Sequence, residues 1–104
     1  MDKQILFLIA TESNKEVAEN IAKILIENKL AACVSLKEID SFYTWQGELE
    51  RSKEIEIVIK SKPNKLTPLL EILKKELSYD LPQLIYTVFD SEDNYYKWIT
   101  KLVN

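Results

Sequence analysis

The side chains of this 104-residue sequence that could do chemistry are carboxylates, lysines, hydroxyls and one cysteine. The sequence has no histidine, the side chain that most readily exchanges protons near neutral pH. That absence excludes a Ser/His/Asp triad, a Cys/His pair and an HExxH zinc site. The lone cysteine, Cys33, also excludes an intrachain disulfide and a CxxC zinc site. Catalysis or metal binding would therefore depend on oxygen atoms, lysines or this one thiol.

Cys33 lies in LAACV, a run of small and apolar residues that predicts a place in a strand. A buried cysteine usually behaves as a small apolar side chain. Neither a histidine nor a second cysteine is available in the chain to complete a metal site with it. We therefore interpret Cys33 as structural, with a metal or redox role as the alternative.

Charge and glycine content exclude several kinds of partner. Fourteen basic and seventeen acidic side chains give a net charge of −3, spread along the chain, which has no general attraction for phosphate backbones. The one glycine, Gly47, can build neither a GxGxxG nor a GxxxxGK[ST] phosphate loop. The apolar segment ILFLIA is too short to cross a membrane and no small-residue cleavage site follows it. We expect no nucleic-acid partner, no membrane contact and a cytoplasmic location.

The elements that must position these side chains begin with a strand over residues 4–10, QILFLIA, an apolar run of strand length. Ser13 and Glu16 then fit a capping box. Apolar side chains recur at helical spacing behind it, which predicts a first helix over about residues 14–28.

Residues 30–45 and 48–61 predict the two arms of a β-hairpin. The second arm alternates, so that one face is apolar and the other is polar. The apolar face carries Ile55, Ile57 and Ile59. Gln46 and Gly47, between the arms, predict a tight turn in which the glycine supplies a positive φ.

The rest of the chain predicts a helix, a strand and a last helix. A stripe of leucines marks the second helix, in which Pro68 is tolerable only near the start. Residues 78–83, SYDLPQ, turn the chain into a fourth strand over residues 84–90. Ser91 is the predicted cap of the last helix. The apolar side of that helix carries Tyr95, Trp98, Ile99 and Leu102.

These elements follow the order β-α-β-β-α-β with an extra C-terminal helix. That order is typical of an α+β, ferredoxin-like fold, in which both crossover helices lie on one face of a four-stranded antiparallel sheet. No stretch has the composition of a linker, so we predict a single domain over residues 1–104.

The hairpin is too long for the two crossover helices to cover. Each arm has about fourteen residues, which gives roughly 45 Å of ribbon at about 3.3 Å per residue. Phe42, Tyr43 and Trp45 lie beside Gly47 near its tip. Because an isolated two-stranded ribbon is only marginally stable, we infer that this tip packs on another subunit. The alternative is a bulge that bends the hairpin back over its own sheet.

Several segments, in matching order and spacing, resemble one known family. They are LAACV, SFYTWQGELE, IKS, Tyr79 with Pro82, and YYKWI. Over nearly its whole length the chain is similar to the CutA divalent-ion tolerance proteins, and the aromatic block after LAAC is the most specific part. The resemblance implies a homotrimer in which long hairpins of neighbouring subunits pair edge to edge. It also implies a non-enzymatic protein linked to copper tolerance and metal-ion binding, similar in shape to the PII signalling trimers.

Three positions depart from the family's pattern. Leu77 stands where the family usually has a histidine, Gln83 where it has a glutamate, and Ala10 where some members have a cysteine. Copper(II) favours imidazole and thiolate ligands, and none of the three residues supplies one. We therefore assign no metal-ligating residue and no certain cofactor, and keep a divalent cation, copper, as the candidate ligand.

The resemblance further implies a cleft between subunits. Lys60 matches a family lysine near that cleft and could face an anion or a carboxylate, while the Tyr79 hydroxyl could bind a ligand. Glu54, Glu56 and Asp80 offer the oxygens that hard cations prefer. The alternative is a hydrated strand face whose charges pair with each other. The cleft candidates are Lys60, Tyr79, Glu54, Asp80, Gln83 and Cys33, and the trimer-interface candidates are Phe42, Tyr43, Trp45 and Gly47.

Three classes of function follow. The preferred one is a CutA-like trimer in divalent-ion tolerance, and a PII-like ligand-sensing or scaffold trimer without specific metal binding is the alternative on the same fold. An RNA-binding sheet is opposed by the net charge and by Ile, Glu and Val where the third strand would need an RNP1 segment. A small enzyme of acylphosphatase-like topology is opposed by the position of the single arginine, Arg51, near the hairpin tip.

Overall fold

A computed structural model describes residues 3–104 of the chain. Its secondary structure confirms the predicted α+β class, and the elements follow the predicted order. In chain order they are β1 (Gln4–Glu12), α1 (Lys15–Glu27), β2 (Cys33–Trp45), β3 (Glu48–Ser61), a 3₁₀ turn (Pro63–Lys65), α2 (Leu66–Glu76), β4 (Leu84–Asp90) and α3 (Asp93–Leu102).

The four strands form one antiparallel sheet in the order β2-β3-β1-β4. The pairing of β1 with β3 ends at Glu12, which lies opposite Ile55. Beyond that point β3 has only β2 as a neighbour. Residues 39–45 and 48–54 therefore form a two-stranded extension, which we call the ribbon.

The two strands of the ribbon pair without a shift in register. Its pairing with the rest of the hairpin is unbroken from Cys33 opposite Lys60 to Trp45 opposite Glu48, so the described strands contain no bulge that bends it back over the sheet. The turn forms where it was predicted, and both of its residues have positive φ, 51° at Gln46 and 82° at Gly47. The glycine was expected to take this conformation, but the glutamine was not.

The core lies between the sheet and the first two helices. Alternate side chains of β1 and β3 meet the apolar stripes of α1 and α2 there, which confirms the isoleucine face of β3. The largest fully buried members are Leu6, Leu8, Ile21, Leu25, Ile57, Ile59, Leu69 and Leu73. A smaller cluster on the opposite face docks α3 through Ile5, Ala32, Ile99 and Val103. Neither cluster includes a residue of the ribbon.

Both predicted serine caps are wrong. The N-cap of α1 is Asn14, whose side chain accepts hydrogen bonds from the N–H groups of Glu16 and Val17 at 2.9 and 3.2 Å. The helix starts one residue later than expected because β1 continues to Glu12. The cap of α3 is Glu92, while the N–H of Ser91 donates to the carbonyl of Lys3, the residue before β1.

Candidate functional site

A cavity of about 780 Å³ lies between the ribbon and the segment that follows α2. We call it the ribbon cavity. It forms there because the four-stranded part of the sheet stops at the end of β1 while the hairpin continues. Its lining consists of Thr11 from β1, Ser41, Phe42, Tyr43, Trp45 and Glu54 from the hairpin, and Ser78, Tyr79, Asp80, Leu81 and Gln83 from the segment after α2.

One hydrogen bond joins the two walls of the ribbon cavity. The hydroxyl of Tyr79 donates to Oε2 of Glu54 at 2.6 Å. Burial of the phenol raises the pKa of Tyr79 above its ordinary value, and the hydrogen bond to Glu54 and the charge of that carboxylate raise it further. Tyr79 therefore stays protonated throughout the physiological pH range and can donate to Glu54.

A buried carboxyl group holds the wall formed by the segment after α2 in place. Glu12, at the end of β1, has no exposed surface, and its oxygens accept from the N–H and the hydroxyl of Ser78 at 2.8 and 2.7 Å. It also accepts from the N–H of Asn14 at 3.0 Å. These donors compensate the cost of burying the polar carboxyl group. Glu12 thus anchors the residue that precedes Tyr79.

Sequence reasoning missed Glu12. Its only local signal is a carboxylate at the end of an apolar strand, directly before a helix cap, and that signal does not separate a buried anchor from a hydrated strand end. The contact with Ser78 spans 66 positions of the chain. Only the packing of α2 against the sheet brings these two residues together.

The aromatic side chains of the ribbon are open to solvent in the single chain. The exposed fractions of Phe42, Tyr43 and Trp45 are 63%, 43% and 55%. The hydroxyl of Tyr43 bonds to that of Ser52 at 2.8 Å, and the guanidinium of Arg51 lies 5.2 Å from the centroid of the Phe42 ring. Packing of these rings on another subunit stays a prediction.

Four of the six predicted cleft residues meet at the ribbon cavity. They are Glu54, Tyr79, Asp80 and Gln83. The other two, Lys60 and Cys33, lie opposite each other at the far end of the hairpin. Lys60 is six residues from Glu54 along an extended strand, which is about 20 Å. Its ammonium lies 6.0 Å from the centroid of the Tyr95 ring instead.

Carboxylates do not converge into a metal site in the single chain. Among residues 3–104, no three Cys, Asp or Glu side chains lie close enough together to hold one ion. The ribbon cavity contains two carboxylates, Glu54 and Asp80. The structure of the single chain therefore assigns no metal ligands.

In the described part of the chain, no helix has both the length and the apolar character needed to cross a membrane.

The two outer strands of the sheet, β2 and β4, each have a neighbour on one side only. The side chains of β4 are unusually apolar for such exposed positions. Ile85 is 60% exposed and Phe89 is 50% exposed, and Tyr86 and Val88 are exposed as well. Unpaired backbone groups beside exposed apolar side chains favour pairing with another chain.

A sequence model of the family described as "CutA1 divalent ion tolerance protein" matches residues 6–102. The chain is 32% identical over 96 residues to the "Divalent-cation tolerance protein CutA" of Pyrococcus horikoshii, covering 91% of this chain and 94% of that protein. The protein of the same name from Pectobacterium atrosepticum is 34% identical over 94 residues, with 88% and 86% covered. "Protein CutA, chloroplastic" of Arabidopsis thaliana is 30% identical over 96 residues, which are 90% of this chain and 53% of that protein.

Solved structures of similar proteins have the same fold. The crystal structure of CutA1 from Pyrococcus horikoshii superposes with a TM-score of 0.90 at 29% identity, covering 95% of this chain and 98% of that one. The structure titled as the periplasmic divalent cation tolerance protein CutA from Archaeoglobus fulgidus gives a TM-score of 0.91 at 32% identity, covering 96% and 99%.

Proposed function

This chain belongs to the CutA1 divalent ion tolerance family, as its motifs predicted, and we propose that it serves divalent-cation tolerance as a non-enzymatic homotrimer. The match of the family over residues 6–102 carries this proposal. The relatives' names refer to divalent cations as a class, and copper is our narrower choice of ion. A cytoplasmic location is part of the proposal, and cell fractionation tests it.

The open edges of the sheet support the trimer. β2 offers thirteen residues of unpaired edge and β4 offers seven, and both carry exposed apolar side chains. A trimer that pairs these edges between copies would satisfy the backbone groups and cover the apolar surface together. Its interface would include Phe42, Tyr43 and Trp45, with Gly47 at the turn.

Assembly also bears on how a cation would be held. One chain places only Glu54 and Asp80 in the ribbon cavity, and two carboxylates are fewer ligands than a divalent ion usually takes. Carboxylates from neighbouring copies would enlarge the set of oxygen ligands. We therefore propose that ions bind to the trimer through carboxylate oxygens, and that affinity depends on assembly.

A second candidate function is small-ligand sensing, and the ribbon cavity favours it. Its volume falls within the range of about 300–1,000 Å³ that is usual for small-molecule sites. Its walls are joined by the bond between Tyr79 and Glu54. A ligand that displaced or reinforced this bond would change the position of the ribbon, and the ribbon would carry that change to the neighbouring subunit.

Native mass spectrometry of the purified chain during separate titrations with copper(II), zinc(II) and magnesium tests the main proposal. We expect trimers that take up a fixed number of ions, and fewer ions after Glu54→Gln or Asp80→Asn. Glu19→Gln, an exposed carboxylate on α1, is the matched control. A monomer would contradict the assembly proposal. Trimers that stay empty of copper, zinc and magnesium would contradict metal binding and leave the sensing function.

A further inference from the structure

We propose that the copies of this chain are joined by packing one face of each ribbon on the opposite face of a neighbouring ribbon, so that a basic face meets an acidic face. This inference rests on the proposed homotrimer and names the surfaces that join its copies. Three observations carry it. The two faces of the ribbon differ in charge, both have exposed apolar side chains, and they lie on opposite sides of the same two strands.

The acidic face follows from the register of the hairpin. Side chains directly opposite each other in an antiparallel pair share a face, and successive residues alternate between faces. Glu48 lies opposite Trp45. Glu50 lies opposite Tyr43, and Glu54 follows on the same face. Within the ribbon this face has three carboxylates and no basic side chain, a net charge of −3. Among residues 3–104, no ion pair includes any of the three.

The opposite face of the ribbon is basic. Within residues 39–45 and 48–54 it has Arg51, Lys53 and a single carboxylate, Asp40, which give a net charge of +1. Both basic side chains share that carboxylate. The guanidinium of Arg51 lies 3.6 Å from one of its oxygens, and the ammonium of Lys53 lies 3.4 Å from the other. One carboxylate neutralises only one of the two cations, so a carboxylate from another copy would balance the second.

Both faces also have apolar side chains that are open to solvent in the single chain. Tyr43 and Trp45 lie on the acidic face. Phe42 and Leu49 lie on the basic face, and Leu49 is 76% exposed. Complementary charges mainly set the specificity and rate of association, whereas burial of aromatic side chains supplies much of the affinity. A contact between the two faces provides both.

The position of the two faces decides the symmetry of the contact. A two-fold dimer packs like faces together, and this would bring the glutamates of one copy against those of the other. Unlike faces bring opposite charges together, and each copy then uses a different surface for each of its two neighbours. Contacts of this heterologous kind generate rings when the rotation between copies closes. The charge pattern therefore favours a cyclic assembly, such as the proposed trimer, over a two-fold dimer.

This contact is compatible with pairing of the sheet edges. β2 has thirteen residues and β4 has seven, so a β2 strand that pairs with a neighbour's β4 extends beyond it by the difference of six residues. The ribbon part of β2, residues 39–45, is of similar length. The ribbon can therefore leave the shared sheet and cross the neighbouring ribbon.

The neighbouring ribbon also completes the ribbon cavity. Tyr43 and Trp45 line its outer part. Glu54 lies opposite Ile39, which is six residues from Trp45, or about 20 Å along the strand. A neighbour that covers Tyr43 and Trp45 closes the outer part and leaves Glu54 and Asp80 at the inner part, where cation binding is proposed. The cavity then becomes a site between subunits, incomplete in the single chain.

Charge reversal with rescue tests this inference. Glu48→Lys with Glu50→Lys changes the net charge of the acidic face from −3 to +1, and Lys53→Glu changes that of the basic face from +1 to −1. Each of these two variants has faces of like sign, so we expect its trimers to exchange subunits at least about tenfold faster than the parent trimers. The chain with all three substitutions again has faces of opposite sign, and its exchange should return towards the parent rate. Native mass spectrometry of mixed unlabelled and ¹⁵N-labelled samples measures the exchange.

Matched controls make the same changes of charge at exposed positions of α1. They are Glu19→Lys with Glu27→Lys, and Lys23→Glu, and exchange should stay within about twofold of the parent rate. Unchanged exchange in the ribbon variants, an equal effect in the controls, or a triple variant no better than the others would overturn the inference. Rescue in the triple variant excludes misfolding as the cause, since that chain contains every substitution.

The same spectra separate this inference from the proposed assembly. Parent trimers whose exchange is insensitive to the reversals would overturn the face-to-face contact alone and leave the trimer standing. A parent chain that is a monomer would overturn the trimer, and this inference with it.

Discussion

The phenol of Tyr79 and the carboxylate of Glu54 lie 2.6 Å apart, oxygen to oxygen, although 25 positions separate them in the chain. The segment after α2 meets the ribbon at this bond, beyond the last residue of β1. Whether this bond forms therefore depends on the position of the ribbon relative to the rest of the sheet.

We predict that Tyr79 and Glu54 are energetically coupled. Tyr79→Phe and Glu54→Gln should each lower the free energy of unfolding by about 1 kcal/mol, because a partly buried, charge-assisted hydrogen bond is lost. In a double-mutant cycle, the second substitution should cost little once the first is made. Guanidinium unfolding at one fixed protein concentration would measure this, since assembly makes stability depend on concentration. Fully additive effects would contradict direct coupling.

The phenol of Tyr79 should also lose its proton at a higher pH than an ordinary tyrosine does. Burial and the neighbouring Glu54 raise the pKa of Tyr79, so the stability gained from the neutral phenol is complete below its unfolded-state pKa of about 10. That stability is lost as the pH rises through the raised pKa of the folded state. In an ultraviolet titration of the native protein, Tyr79→Phe should remove a late phase and leave the phases of the other four tyrosines. Loss of an ordinary phase instead would contradict the prediction.

Glu12 should be the carboxylate whose loss is most costly. Glu12→Ala removes the acceptor for the N–H and hydroxyl of Ser78 and for the N–H of Asn14, so we expect a loss of about 3 kcal/mol in the free energy of unfolding. Glu12→Gln should cost less because it retains an acceptor oxygen. Glu19→Ala, exposed on α1, should stay within about 0.5 kcal/mol of the parent chain. Equal costs for Glu12→Ala and Glu19→Ala would contradict the anchor role.

The hairpin turn can be improved at one residue and damaged at the next. Gln46 has a φ of 51°, which asparagine tolerates better than glutamine, so Gln46→Asn should raise the free energy of unfolding by about 0.5 kcal/mol. Gly47→Ala should lower it by about 1 kcal/mol through backbone strain alone, because an added Cβ would have no neighbour within 4 Å. Thermal unfolding of both variants checks the prediction, and an alanine that is neutral would contradict it.

The ribbon aromatics should control assembly. Trp45→Ala and Tyr43→Asp should weaken the proposed trimer, because one removes a large apolar contact and the other buries a charge. Ile26→Ala, an exposed apolar position on α1, is the control. Analytical ultracentrifugation over a dilution series would measure the effect. Trimers of unchanged stability in both ribbon variants would show that these rings do not form the interface.

Local patterns predicted most of the fold. The alternating isoleucines of β3 and the Gln46–Gly47 turn formed as expected, because periodicity and turn conformation depend on residues close together in the chain. The predicted serine caps were wrong because the start of a helix also depends on contacts between residues far apart in the chain. Where a helix begins depends on where the preceding strand stops, and the sheet pairing of β1 extends to Glu12.

By itself the sequence determined the excluded chemistry, the long hairpin and the family, since composition and motif spacing are properties of the chain alone. The tertiary structure alone decided which side chains meet. It brought Glu54 to Tyr79 and Glu12 to Ser78, and it left Lys60 at the other end of β3. The physical reason is that such contacts join residues far apart in sequence, and the packing of the whole chain around one core sets their distances, whereas local patterns carry no information about them.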